Sequence, residues 1–174
     1  MMWTRTGGLL IFAACTAGCA GWQVGSRSLY PAHIRTVYVP VFDSGSFRRG
    51  LGEQLTEAVC KEIELKTPYR VTGNPDADSV LTGRIAYDRK RVLIQSGASE
   101  PREYQVNICV DVSWIDNRGK AIRNTRSVAL PPDVVKLVGV GNVIPQTGQS
   151  TVVGQQDAIK QVAEQIVSLM EAPW

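Results

Sequence analysis

The chain has 174 residues, a formal net charge of +3, four cysteines and a single histidine. That length suffices for one domain with a real core, and the small charge says little about partners. With one histidine and no CxxC pair, the sequence has no recognisable zinc-ligand pattern.

From Gly7 to Ala14 the chain is nearly uncharged, and Arg5 is the only charge upstream. A basic start, a short apolar run and then small residues is the layout of a secretory signal. The run is too short to span a bilayer, which takes about 20 apolar residues. Thr16-Ala17-Gly18 leads directly into Cys19, which resembles the lipobox of bacterial lipoproteins. In that family the signal is cut before the cysteine and its thiol carries a diacylglycerol. The expectation is therefore a signal peptide over 1–18, lipid on Cys19, and loss of Cys15 with the signal. Acyl chains anchor because each buried CH₂ contributes about 0.8 kcal/mol. Ala20, where an Asp would favour retention at the inner membrane, implies by the same resemblance a lipid-anchored protein of the cell outer membrane. Export removes nucleic acid as a partner.

Residues 19–33 are small, polar and turn-like and read as a tether, leaving 34–174 as a single domain. Ile34 to Phe42 (IRTVYVPVF) alternates as a strand, with Pro40 implying an edge position or an irregular end. Asp43 to Ser46 offers N-cap oxygens, and Phe47 to Lys66 takes helical period through Leu51, Leu55, Val59 and Ile63. Gly50 and Gly52 weaken its first turns by roughly 1 kcal/mol each. Tyr69–Thr72 is a short extended piece.

Ser79 to Ile94 reads as a long strand, and Glu103 to Asp116 is the clearest strand of the chain. In the latter Tyr104, Val106, Ile108, Val110, Val112 and Trp114 face one way and Gln105, Asn107, Cys109, Asp111 and Ser113 the other. Asp116-Asn117-Arg118-Gly119 is a hairpin turn, with Lys120 to Leu130 returning as a strand. Residues 131–154 are Gly- and Pro-rich yet too apolar for a free linker; they pack on their own domain, cover a partner or fold on binding. Gln155 to Glu171 is an amphipathic helix. This order implies an α+β fold, with two helices packed on one face of a mostly antiparallel sheet of about four strands.

No catalytic constellation emerges. His33 lies in the tether, Cys60 on a helix stripe and Cys109 on the polar side of a strand, so no Cys–His nucleophile forms. Gly139-Val140-Gly141 lacks the third glycine of a dinucleotide fingerprint. Cys60 and Cys109 project to opposite sides of the expected sheet, which argues against a disulfide even where the compartment permits one. Basic residues gather at Arg84, Arg89, Lys90, Arg91 and Arg102 beside one hairpin, and at Arg118, Lys120, Arg123 and Arg126 beside the next. They form either a solvated strand face or a contact surface for a phosphorylated ligand, which Arg forks and Lys charges suit.

The lipobox, VYVPVF, FRRGLGEQLTEAVCKEIELKTPYRVTGNPDADSVLTGRI, the EYQVNICVDVSWIDNRGKAI hairpin and a closing helix resemble the LptE family of lipopolysaccharide-assembly lipoproteins. The resemblance implies a protein without catalytic activity or cofactor. It would plug an LptD-type outer-membrane β-barrel and assist delivery of lipopolysaccharide, with its domain on the periplasmic side or within the lumen. Arg89, Lys90, Arg91, Arg102, Arg118 and Lys120 are the candidate contacts to lipopolysaccharide phosphates. The segment 131–154 aligns with no family feature. VYVPVFDSGS followed by an amphipathic helix is also shared with TolB- and CsgG-like accessory lipoproteins, which regulate cell-wall synthesis or serve secretion.

The anchor is directly testable. Cys19→Ala is expected to abolish fatty-acid labelling and to accumulate uncleaved precursor, whereas Cys15→Ala should do neither. Loss of labelling in Cys15→Ala alone would move the lipid to the other cysteine.

Overall fold

The computed structural model describes residues 29–46, 48–95, 97, 101–122 and 134–171. In chain order the elements are β1 (Thr36–Tyr38), β2 (Asp43–Ser44), α1 (Leu51–Lys66), β3 (Arg70–Thr72), β4 (Ser79–Gln95), β5 (Pro101–Asp116), β6 (Val134–Val143) and α2 (Thr151–Leu169). The expected signal, Cys19 with residues 20–28 of the tether, and most of the Lys120–Leu130 strand lie outside the described residues.

The α+β class holds, but the sheet is larger and more mixed than the sequence implied. It has six strands in the order β3-β1-β4-β5-β6, with β2 also beside β4. β1 runs parallel to β3 and β4, and β2 parallel to β4, whereas β4–β5 and β5–β6 are antiparallel. The parallel part follows from the strand–helix–strand order. A helical crossover returns the chain to its starting end, so β3 enters alongside β1 in the same direction. The short strands escape pattern reading because two or three residues show no period.

Residues 134–154 of the apolar 131–154 segment are among those described. Val134, Val135, Leu137, Val138, Val140 and Val143 belong to β6, which pairs with β5 from Tyr104↔Val143 to Ser113↔Val134, while Val152 and Val153 open α2. After the Asp116–Gly119 turn, where Gly119 takes φ +75°, the described residues 120–122 run back beside β5: Ala121 bridges to Ile115 and the Ile122 amide donates to the Trp114 carbonyl. β1 lies inside the sheet and ends before Pro40, so the proline marks an irregular end, not an edge.

Both helices cover one face. Leu55, Val59 and Ile63 of α1 and Ala158, Val162, Ile166 and Val167 of α2 join Val106, Ile108, Val110 and Val112 of β5 in a single core. Tyr30 belongs to this core too: its hydroxyl donates to the Lys66 carbonyl at 3.1 Å and its ring meets Tyr69 edge-on. α1 starts at Leu51, later than the sequence suggested. Its N-cap is Gly50 at φ 76°, with no side-chain cap from the upstream Asp and Ser residues. Asp78 ties β1 to the start of β4, its carboxylate accepting from the Arg35 and Thr36 amides and the Thr36 hydroxyl. Those hydrogen bonds, Arg35 first, hold its pKa below the usual carboxylate value. Cys60 and Cys109 are free and stand on opposite sides of the sheet, Cys60 on the helix and Cys109 facing away from it. Burial, then Glu64, pushes the Cys60 thiol pKa up.

Gly139-Val140-Gly141 has a packing role. Both glycines face α2, where a Cβ on Gly139 would overlap the Ala158 carbonyl and one on Gly141 the Gly154 carbonyl. The strand and helix backbones thus approach closely, Gly139 against Ala158 and Gly141 against Gly154. Gly139→Ala and Gly141→Ala should each lower unfolding free energy by about 1–3 kcal/mol or more, through overpacking. Gly73→Ala, with nothing within 4 Å of its Cβ, should change it little. Urea titration of the three variants checks this, and equal stability would refute the close contact.

Candidate functional site at the free end of the ribbon

β4 and β5 form the longest ladder of the molecule, 17 and 16 residues. A bulge at Ala86 breaks its register, since Ile85 pairs with Val110 and Tyr87 already with Cys109. One extra residue in a strand reverses which side chains face which way beyond it. Below the bulge, Leu81, Gly83 and Ile85 point under the helices, while Thr82 and Arg84 point away. Above it, Asp88, Lys90 and Val92 share the helix side with Ile108, Val106 and Tyr104, while Tyr87, Arg89 and Arg91 take the open face.

The six candidate residues therefore do not form one site. Arg118 and Lys120 lie in the turn beside the Ser79↔Asp116 pair, eleven ladder positions from Arg91↔Gln105. At about 3.3 Å per residue that is on the order of 40 Å. Arg102 is exposed at the far end, in a second irregularity where Ile94 pairs with Glu103 and Gln95 with Pro101. Within the run Arg89–Lys90–Arg91 the side chains split. Lys90 Nζ lies 3.6 Å from the Tyr104 ring centroid on the helix side, and Arg89 stacks over Tyr87 at 4.7 Å on the open face.

The helix side near Lys90 is tied together. Asp88 accepts from Ser46 Oγ at 2.7 Å and pairs with Arg48 Nε at 2.8 Å. Arg48 also donates to Gln155 of α2 at 2.8 Å, and Gln155 reaches Gln54 of α1 at 3.2 Å. The Tyr104 hydroxyl is 2.7 Å from Thr151 Oγ1 at the start of α2. This network clamps both helix N-termini to β4 above the bulge.

The open face divides into rows. Asp43, Arg84, Asp111 and Lys136 lie side by side across four strands and alternate in sign, with ion pairs of 3.8 Å at each end. Next come Tyr87, Cys109 and Val138, with Cys109 wholly buried between the two in its row. Above them stand Arg89–Asn107–Val140 and Arg91–Gln105–Asn142, where Gln105 donates to Asn142 at 3.1 Å. Arg84 is thus balanced by its row, while among the described residues Arg89 and Arg91 have no carboxylate partner. The ribbon continues into exposed Val92, Leu93 and Ile94. Guanidinium groups beside apolar side chains suit an amphiphile that carries phosphate. Among the described residues no group of three His, Cys, Asp or Glu side chains comes together to hold a metal ion. No helix among them is long and apolar enough to cross a membrane.

The sequence matches the family model described as "LptE: Lipopolysaccharide-assembly" over residues 34–171. A comparison with curated proteins finds no match. Among solved structures, the uncharacterized lipoprotein B from Nitrosomonas europaea is 14% identical with a TM-score of 0.52, covering 85% of this chain and 91% of that one. The PelC dodecamer from Paraburkholderia phytofirmans is likewise 14% identical, TM-score 0.52, covering 82% and 93%. The hypothetical protein CT253 from Chlamydia trachomatis is 9% identical, TM-score 0.50, covering 78% and 94%. At such identities the likeness establishes a shared fold.

The clamp gives the site its own test. Asp88→Ala removes the acceptor for Ser46 and Arg48 and should lower unfolding free energy by about 1–3 kcal/mol, as for other hydrogen bonds to charged groups. Denaturant titration measures it, and an unchanged midpoint would mean the clamp contributes nothing.

Proposed function

The chain belongs to the LptE family and has a role in lipopolysaccharide assembly, and from that premise we propose that it plugs the lumen of an LptD-type outer-membrane β-barrel. It is held there by lipid on Cys19 and assists assembly of lipopolysaccharide at the outer leaflet. The role is one of assembly, not catalysis.

The observation that carries this reading is the shape and charge of the β4–β5 ribbon. The described residues begin at the end where Tyr30 meets Lys66, while Arg89, Arg91 and Arg102 lie toward the opposite end. A 17-residue strand is on the order of 55 Å when extended, comparable to a bilayer of about 40–45 Å with its headgroups. A domain tethered at the inner leaflet and standing in a barrel would then hold its basic, partly apolar end toward the outer leaflet. There the acceptor chemistry is that of phosphorylated glycolipid. The open-face pair Arg89 and Arg91 is the main phosphate contact of this proposal, with Lys90 and Arg102 beside it. Arg118 and Lys120, at the other end, would meet only a different part of the path.

Two measurements test it. Mild detergent extraction should recover the protein at one to one with a large outer-membrane β-barrel protein. Recovery with a peptidoglycan synthase would favour the accessory-lipoprotein reading instead. In the isolated protein, Arg89→Glu/Arg91→Glu should weaken lipopolysaccharide binding at least tenfold, because charge-assisted contacts contribute roughly 1.5–3 kcal/mol each. Unchanged binding by the double variant would return both arginines to a solvated face.

A further inference from the structure

Among the described residues the fold caps the β6 edge of the sheet, while the upper part of β4 has no strand on its outer side. On β6, two glutamines one turn apart on α2 stand where a neighbouring strand's backbone would be. Gln161 accepts from the Val140 amide at 3.1 Å, and Gln165 donates to the Val138 carbonyl at 3.0 Å. Edge strands left bare recruit other chains, and side-chain caps of this kind prevent it.

β4 is treated differently. β1 flanks it at Ser79 and Val80 and β2 at Arg84 and Ile85. Above these, and beyond the Ser46–Asp88 contact, no described strand lies on that side. The ladder phase shows which groups are open. Gly45 donates to the Ile85 carbonyl at 3.4 Å, so Ile85 faces away from β5. Antiparallel pairs alternate between bonded and non-bonded, and past the bulge that alternation turns the N–H and C=O of Lys90 and Val92 outward. The adjoining Val92, Leu93 and Ile94 are 40%, 43% and 52% exposed.

A second copy is a poor occupant. Antiparallel self-pairing centred on Lys90 would set Arg89 opposite Arg91, and like charges directly across strands are destabilising. A segment with acidic side chains at those positions is favoured for the same reason. We propose that the β4 edge from Lys90 to Val92 receives an extended segment of the barrel partner as an added strand, with acidic residues beside Arg89 and Arg91. This rests on the plug reading and specifies its docking contact. Backbone hydrogen bonds fix the register, and the alternating side chains supply selectivity.

Residue-resolved hydrogen exchange on the isolated protein and on the detergent-purified barrel complex tests the proposal. In the isolated protein the Lys90 and Val92 amides should exchange freely, while those of Arg89 and Arg91, bonded to β5, are protected. In the complex the first two should slow at least tenfold. Val92→Pro, which deletes an outward N–H, should keep the native circular dichroism spectrum and lose barrel association at least tenfold, and Val92→Thr should retain it. An intact complex with both amides exchanging freely would overturn the docking edge while leaving the plug reading in place. Absence of any barrel complex would remove both. Protection that rises with concentration of the isolated protein, or that appears on adding lipopolysaccharide alone, would assign the edge to a second copy or to lipid and overturn the proposal.

Discussion

The antiparallel pairing of β4 with β5, interrupted at Ala86, is the constraint on which the rest of the structure depends. Below the bulge the ladder is half of a layered core, with Leu81 and Ile85 sealed under the helices. Above it the same strand presents charge to both sides. Were the two-residue alternation unbroken through Ala86, Tyr87, Arg89 and Arg91 would point under the helices, where unpaired arginines cost several kcal/mol to bury. The bulge therefore lets a core strand continue as an exposed, charged one.

The two faces of that continuation do different jobs. On the helix side Asp88 and Lys90 are satisfied by Arg48, Ser46 and the Tyr104 ring, which fixes the ribbon to both helices. On the open face the Asp43–Arg84–Asp111–Lys136 row neutralises itself, while Arg89 and Arg91 remain available to a ligand. The close contact of β6 with α2 through Gly139, Gly141 and Gly154 completes the rigid side of the sheet, opposite the edge that stays open.

Much of this was legible in the sequence. The two helices, the long strands and the inward set of β5 follow from period alone, because each is long enough to show it. The extent of β6 was hidden because Gly139 and Gly141 occupy inward positions, where strand pattern calls for bulk. Their reason lies in the α2 backbone, which only tertiary structure brings near. The parallel strands were too short to read. The site was half legible: the basic run Arg89–Lys90–Arg91 stood out by composition, but which side chains share a face depends on the bulge. Ala86 carries no glycine or proline signal. The one available hint was the change from inward Leu81 and Ile85 to Asp88 and Lys90, which breaks the two-residue alternation. Gln161 and Gln165 read as an ordinary solvated helix face until β6 lies beside them.

The account stands on the domain occupying a barrel with its basic end outward. A cryo-electron microscopy map of the protein with its membrane partner, purified without crosslinking, measures this most directly. The account predicts the domain inside the lumen, with Arg89, Arg91 and the β4–β5 tip on the outer-leaflet side and the Tyr30 end toward the periplasm. A map with the domain outside the barrel wall, or with the tip turned toward the periplasm, would contradict it.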